Sequence, residues 1–155
     1  MSDKGNEFAA FHTARQHPKP EKRSQALAII KRRNLLLRLI TESNYDDSRL
    51  GAIRKLEAMD TRKAKPEELK LYFRFAMEEP NREIRTIASK LIDPSERDKL
   101  TGSAYSDIRL MVALMTSSRE TLLRLLVDSD QAVRKQAEKS LGKRGLQQTP
   151  LHSVN

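Results

Sequence analysis

Apolar residues recur along this chain at three- and four-residue intervals, the signature of amphipathic helices. Ala26, Leu27, Ile30, Leu37 and Ile40 form one stripe, broadened by Leu35, Leu36 and Leu39, with Lys31, Arg32, Arg33 and Arg38 on the other side. That spacing predicts one long helix over 22–42. Leu50, Ile53, Leu56 and Met59 predict a second over 47–59. After the polar connection at 60–65, Pro66 suits a first helical turn, and a helix over 66–77 buries Leu69, Phe73 and Ala76 or Met77 before Pro80 ends it. Asn81 caps the next helix, whose inner face is Ile84, Ile87, Ala88, Leu91 and Ile92. Asp93-Pro94 starts a short helix stopped at Gly102, and Ser106 or Asp107 opens one that buries Ile108, Val112 and Met115. Ser118 caps a helix with Leu122, Leu125 and Leu126 facing in, and the last helix, over 130–141, ends at Gly142. Residues 1–20 are polar and end in His17-Pro18-Lys19-Pro20, which reads as a flexible basic arm with Phe8 and Phe11 docking locally. Residues 142–155 carry no periodic pattern and read as a flexible tail.

A turn followed by an amphipathic helix recurs. LLRLLVDSDQAVRKQA near the C-terminus is echoed by FAMEEPNREIRTIA, by LTGSAYSDIRLMVA and more weakly by YDDSRLGAIRKLEAM. Aligning the Ile/Val-Arg pairs places Arg54, Arg85, Arg109 and Arg134 in register, 31, 24 and 25 residues apart. Such a period marks a solenoid, in which one helical hairpin cannot bury its apolar face without neighbours. Over residues 34–141 the pattern resembles HEAT-like helical repeats and, in its short period, their leucine-rich repeat variant. The resemblance implies an all-α fold: a short right-handed α-solenoid of about four stacked hairpins spanning 21–141. It also implies that an acid six positions before each repeat arginine pairs along the stack. Asp128 and Glu79 fill that place, whereas Ser103 and Ser48 interrupt it. These arginines are therefore expected to hold repeats together.

Charge adds a partner class. The net charge is +9, and residues 1–38 hold nine Lys/Arg against three Asp/Glu. The basic residues cluster as Arg15, Lys19, Lys22, Arg23, Lys31, Arg32, Arg33 and Arg38; as Arg62, Lys63 and Lys65; and as Lys135, Lys139, Lys143 and Arg144 beside Arg134. Aligned along a solenoid, they would form a stripe suited to a nucleic-acid phosphate backbone. The repeat class points first to a protein partner held on the solenoid surface, with DNA or RNA as the alternative. Leu71, Tyr72, Arg74 and Phe75 offer more apolar surface than one helix face needs, which suits either a partner patch or inner core.

Catalytic chemistry has little support. The chain lacks cysteine and tryptophan, and its three histidines, His12, His17 and His152, fall in the expected loose ends, so no rigid metal shell is expected. No Gly-rich phosphate loop occurs. The acidic pairs Asp46-Asp47, Glu67-Glu68 and Glu78-Glu79 sit where carboxylates favour helix starts and turns. Some HEAT-like solenoids are DNA glycosylases, which need a carboxylate among aromatic side chains, and the tyrosines here are scattered. No apolar run approaches a membrane span. The reading is a cytoplasmic, non-enzymatic binding module without cofactor, metal or membrane partner.

Overall fold

The computed structural model describes the backbone of residues 3–148 and the side chains of residues 5–143, and every regular element among them is helical. In chain order these are α1 (Asp3–Gln16), α2 (Pro20–Ile29), α3 (Arg33–Glu42), α4 (Asp46–Glu57), α5 (Pro66–Glu78), α6 (Arg82–Leu91), α7 (Ser106–Met115), α8 (Arg119–Leu125) and α9 (Gln131–Gln148). Two 3₁₀ segments, Thr61–Lys63 and Pro94–Gly102, join them. Helices pack in consecutive pairs: α1 on α2, α3 on α4, α5 on α6, the Pro94–Gly102 segment on α7, and α8 on α9. Neighbouring pairs meet through α1–α3, α2–α4, α4–α6, α6–α7 and α7–α9. The core between them is aliphatic, with Leu36, Leu39, Ile40, Ile53, Leu56, Ile84 and Leu100 fully buried.

The starts follow local chemistry. Pro20, Pro66 and Pro94 open their elements, where a missing N–H costs nothing. Asn81 and Ser118 accept hydrogen bonds from Ile84 N (3.1 Å) and Thr121 N (3.2 Å), as expected of caps.

Four expectations about the helices themselves need correction. The first is the arm over 1–20, much of which is the helix α1. Phe11 is 0% exposed, Ala10 and Ala14 are buried, and Ser48 Oγ donates to Ala14 O at 2.6 Å. A further helix pair therefore precedes those seen in the repeat pattern. The second is the single helix over 22–42, which is broken at Ile30–Arg32. There the Glu7 carboxylate accepts from Lys31 N (2.5 Å) and Arg32 N (3.0 Å). The Lys55 ammonium donates to Leu27 O (2.7 Å) and Ile30 O (2.5 Å) at the end of α2. An acid on free amides and a cation on free carbonyls satisfy the two new helix ends together. Burial holds the Lys55 amine below its ordinary range, and the neighbouring Lys31 charge adds to this against the pull of Glu7. The third is the last helix, which runs through Gly142 to Gln148. Residues 149–155 of the expected tail lie outside the described residues. The fourth is Met115, expected on the inner face of α7; as the last residue of that helix it is exposed.

The joints between pairs share one construction. The fourth residue of α2, α4, α6, α7 and α9 is arginine in each case: Arg23, Arg49, Arg85, Arg109 and Arg134. Arg49, and not Arg54 as the Ile/Val-Arg alignment has it, occupies the place in α4. Arg54 is exposed and pairs with the equally exposed Glu83 at 2.7 Å. Arg23, Arg85, Arg109 and Arg134 each donate through Nη1 to the carbonyl six residues back: His17 (2.7 Å), Glu79 (3.2 Å), Ser103 (2.8 Å) and Asp128 (2.7 Å). Arg49 donates instead to Ile40 O at 2.8 Å. The side chain at the sixth position back also accepts the backbone N–H two residues on. This holds for His17, Ser43, Glu79, Ser103 and Asp128, at 2.8–3.2 Å. Each turn is thus closed by its own side chain and, in all but the Ser43 turn, by the arginine that follows.

Arg23, Arg49, Arg85 and Arg109 then each reach an acid of the following pair, and two forms of joint alternate. Arg23 binds Asp47 (3.2 and 2.9 Å) and lies 3.8 Å over the Tyr45 ring; Arg85 binds Asp107 (3.0 and 3.1 Å) and lies 3.9 Å over Tyr105. In both, the receiving ring and acid come from a Ser-x-Tyr-x-Asp stretch, Ser43–Asp47 and Ser103–Asp107. In the other form the acid at the turn itself is the receiver: Glu79 takes Arg49, and Asp128 takes Arg109 at 2.8 and 3.2 Å. Fork-to-carboxylate pairing fixes orientation as well as distance. Burial pushes the Asp128 carboxyl up, but the Arg109 guanidinium and the Asp130 N–H outweigh it and hold the group below its usual range. At Gly51 an added Cβ would lie 2.2 Å from Leu27 Cδ2, so the missing side chain lets α4 approach α2 closely.

Candidate functional site

The apolar excess of α5 is divided between core and surface. Tyr72 and Phe75 are buried, Leu71 is half-buried against the core, and exposed Arg74 lies 5.6 Å over the Phe75 ring. Tyr72 Oη donates to Glu68 Oε2 at 2.9 Å, and Glu68 also receives the Arg33 fork. Burial, reinforced by the Glu68 charge, pushes the Tyr72 phenol far up. Tyr72 and Phe75, two of the four residues of the expected partner patch, are thus core side chains.

Leu69 and Phe73, expected inside, sit on the rim of that core. With Pro66, Lys70, Ile92, Asp93 and Glu96 they line a cleft of about 400 Å³ between α5 and the Pro94–Gly102 segment. Its wall is one helical stripe, Pro66, Leu69 and Phe73, facing Ile92. Lys70 stands on one rim and Asp93 and Glu96 on the other. Hydrogen bonds from Ser95 hold the Asp93 carboxyl below its usual range, so this rim keeps its negative charge. Arg97, next to Glu96 in sequence but outside this lining, has its Nε buried with no acceptor among the described residues. An apolar floor with a few polar groups at its edge is the common form of a binding cleft.

The basic residues divide in a similar way. Arg23 is bound to Asp47, Arg33 to Glu68, Arg62 to Asp60, and Arg15 and Arg38 to Glu42. Lys19, Lys22, Lys31, Lys63, Lys65, Lys135, Lys139 and Lys143 are exposed, and Arg32 is half-buried. The side chain of Arg144 lies outside the described residues. Arg33 Nη1 donates to Asp60 O at 3.3 Å and so draws the two linkers together. Two clusters far apart in sequence, Lys31–Arg33 and Arg62–Lys65, thereby share one edge. Lys135 and Lys139 stand on α9, which packs on α7 and α8.

Among the described residues no group of three or more His, Cys, Asp or Glu is placed to hold a metal ion. No described helix is long and apolar enough to cross a membrane. No family model, no curated protein and no solved structure matches this chain.

Proposed function

We propose that this protein is a non-enzymatic, cytoplasmic α-solenoid of the HEAT-like kind that binds another protein. The observation that carries this reading is the cleft between α5 and the Pro94–Gly102 segment, where half-exposed Leu69 and Phe73 face Ile92 beneath a rim of Lys70, Asp93 and Glu96. An apolar anchor from a partner segment fills such a floor, and the rim charges set its orientation. The test is selection of binders from a displayed peptide library, followed by titration against wild type and Phe73→Ser. Selected peptides lose at least about tenfold in affinity on the variant, while the variant's folded signal in circular dichroism persists. Peptides that bind both proteins equally place the site elsewhere.

A second reading rests on a separate observation, the edge shared by Lys31–Arg33 and Arg62–Lys65. Its cations suit phosphate contacts to DNA or RNA. Binding there weakens steeply with rising salt and falls again on Lys31→Glu and Lys63→Glu substitution. Affinity that ignores salt removes the phosphate reading.

A further inference from the structure

The joints repeat closely enough that each end of the chain can be compared with the half-joint it resembles. On α4, the residues that meet the preceding pair are Asp47, Ser48, Gly51 and Lys55: Asp47 takes Arg23, Ser48 bonds Ala14 O, Gly51 lies against Leu27, and Lys55 caps α2. Counting from each helix start, the same places on α2 hold Glu21, Lys22, Gln25 and Ile29. Lys22, Gln25, Ala26 and Ile29 line an open groove of about 540 Å³ with Ala9 and Ala10 of α1. This groove lies on the side away from α3 and α4, because Glu7, Phe11, Ala14 and Arg15 of α1 make the contacts to α3, to the linkers on either side of it and to α4. Ile29 is 50% exposed, and Glu21 has no ion pair or hydrogen bond among the described residues.

The other end carries the opposite half. Arg23 and Leu27 of α2 and Ile30 just after it receive α4, and their places on α9 hold Arg134, Glu138 and Leu141. Arg134 donates to Asp128 O like its counterparts, yet it is the one member of the series that meets no acid from a following pair among the described residues. Next to α9, Leu123 of α8 and Val127 of the turn after it are exposed, Val127 by 84%. Exposed large apolar side chains among the described residues fall in α1 and α2 or in α7, α8 and the turn after it, and none falls in α3 to α6. Stacked helical repeats without a polar outer face at their ends leave this pattern.

We infer that one copy of this protein docks its α1–α2 face on the α8–α9 face of a second copy, with Arg134 of one chain binding Glu21 of the other as Arg23 binds Asp47 within the chain. The contact is head to tail and repeats from copy to copy. It rests on the neighbour-to-neighbour stacking of the pairs and is independent of which ligand the cleft or the basic edge takes. Several substitutions make it weaker than an internal joint: Glu138 stands where Leu27 packs on Gly51, and Ile29 and Lys22 stand where Lys55 and Ser48 donate to carbonyls. Gln25 stands where Gly51 permits close approach, and Lys19 stands where Tyr45 supports the arginine. Association is therefore reversible and depends on concentration.

Sedimentation velocity over about two decades of protein concentration tests this. Wild type shows a weight-average sedimentation coefficient that rises with concentration. Glu21→Arg and Arg134→Glu each lower the association constant by about tenfold or more, and the Glu21→Arg/Arg134→Glu double variant restores it to within about threefold of wild type. Val127→Asp, at a site too exposed to affect folding, also abolishes association. A coefficient that does not change with concentration overturns the proposal. So does a double variant that stays as weak as the singles.

Discussion

Replacing Arg49 by alanine, with Arg54→Ala alongside, separates the joint seen in the structure from the one suggested by the Ile/Val-Arg alignment. Arg49 has a 16% exposed side chain, and its partner Glu79 is 5% exposed. Removing the guanidinium leaves Glu79 with only the Asn81 N–H at 3.2 Å and leaves Ile40 O without its donor. Stranding one member of a fully buried pair costs several kcal/mol. Because water reaches the Arg49 side of this pair, the expected loss here is about 3 kcal/mol. Arg54 and Glu83 are 59% and 63% exposed, and breaking such a pair costs at most about 0.5 kcal/mol. Urea unfolding followed by circular dichroism reads the difference. With a slope of about 2 kcal/mol per molar, Arg49→Ala lowers the midpoint by about 1.5 M, whereas Arg54→Ala leaves it nearly unchanged. Adding Glu79→Gln to Arg49→Ala recovers part of the loss by removing the stranded charge. Equal effects of the two alanine variants, or a negligible effect of Arg49→Ala, would refute the assignment of this joint.

Two further outcomes follow from the same packing. Phe11→Ala, which empties a fully buried site between α1 and α3, lowers stability by about 3 kcal/mol in the same assay; a loose N-terminal arm would give no change. Asp128 has its carboxyl held below the usual range in the folded chain, so the unfolded chain takes up that proton first as pH falls. Its contribution is complete above about pH 4 and is lost as pH drops through the folded value, so the urea midpoint falls in that window. Asp128→Asn flattens the fall, and an unaltered pH profile counts against the Arg109–Asp128 joint.

The helical elements from α4 to α8 were legible because their apolar spacing and their caps agree: Pro66, Asn81 and Ser118 act where local chemistry puts them. The helix α1 was not, since its buried stripe is largely alanine, Ala10 and Ala14 around a single Phe11, and alanine gives a weak periodic signal. The break between α2 and α3 carries no glycine or proline. It is imposed by Glu7 and Lys55, groups 24 and 25 residues from the atoms they satisfy. The register of the arginines was only half visible. Ile84, Ile108 and Val133 precede three of them, but Lys22 and Ser48 precede Arg23 and Arg49, so a search for Ile/Val-Arg passes both by. The shared stretches SNYDDSRL and SAYSDIRL, aligned on Ser-x-Tyr-x-Asp-x-Arg-Leu, contain the missing signal. The cleft could not be read because the apolar residues of α5 exceed one face, and only packing decides that Tyr72 and Phe75 turn inward while Leu69 and Phe73 stay at the rim.

The four arginine-to-acid joints close loops of similar and modest length, with partners 24, 30, 22 and 19 residues apart. A chain fastened at such intervals has a low contact order, and its main helix contacts do not wait for the far terminus. During synthesis each of these four arginines can be engaged once the next turn has emerged, so the protein can acquire its structure pair by pair.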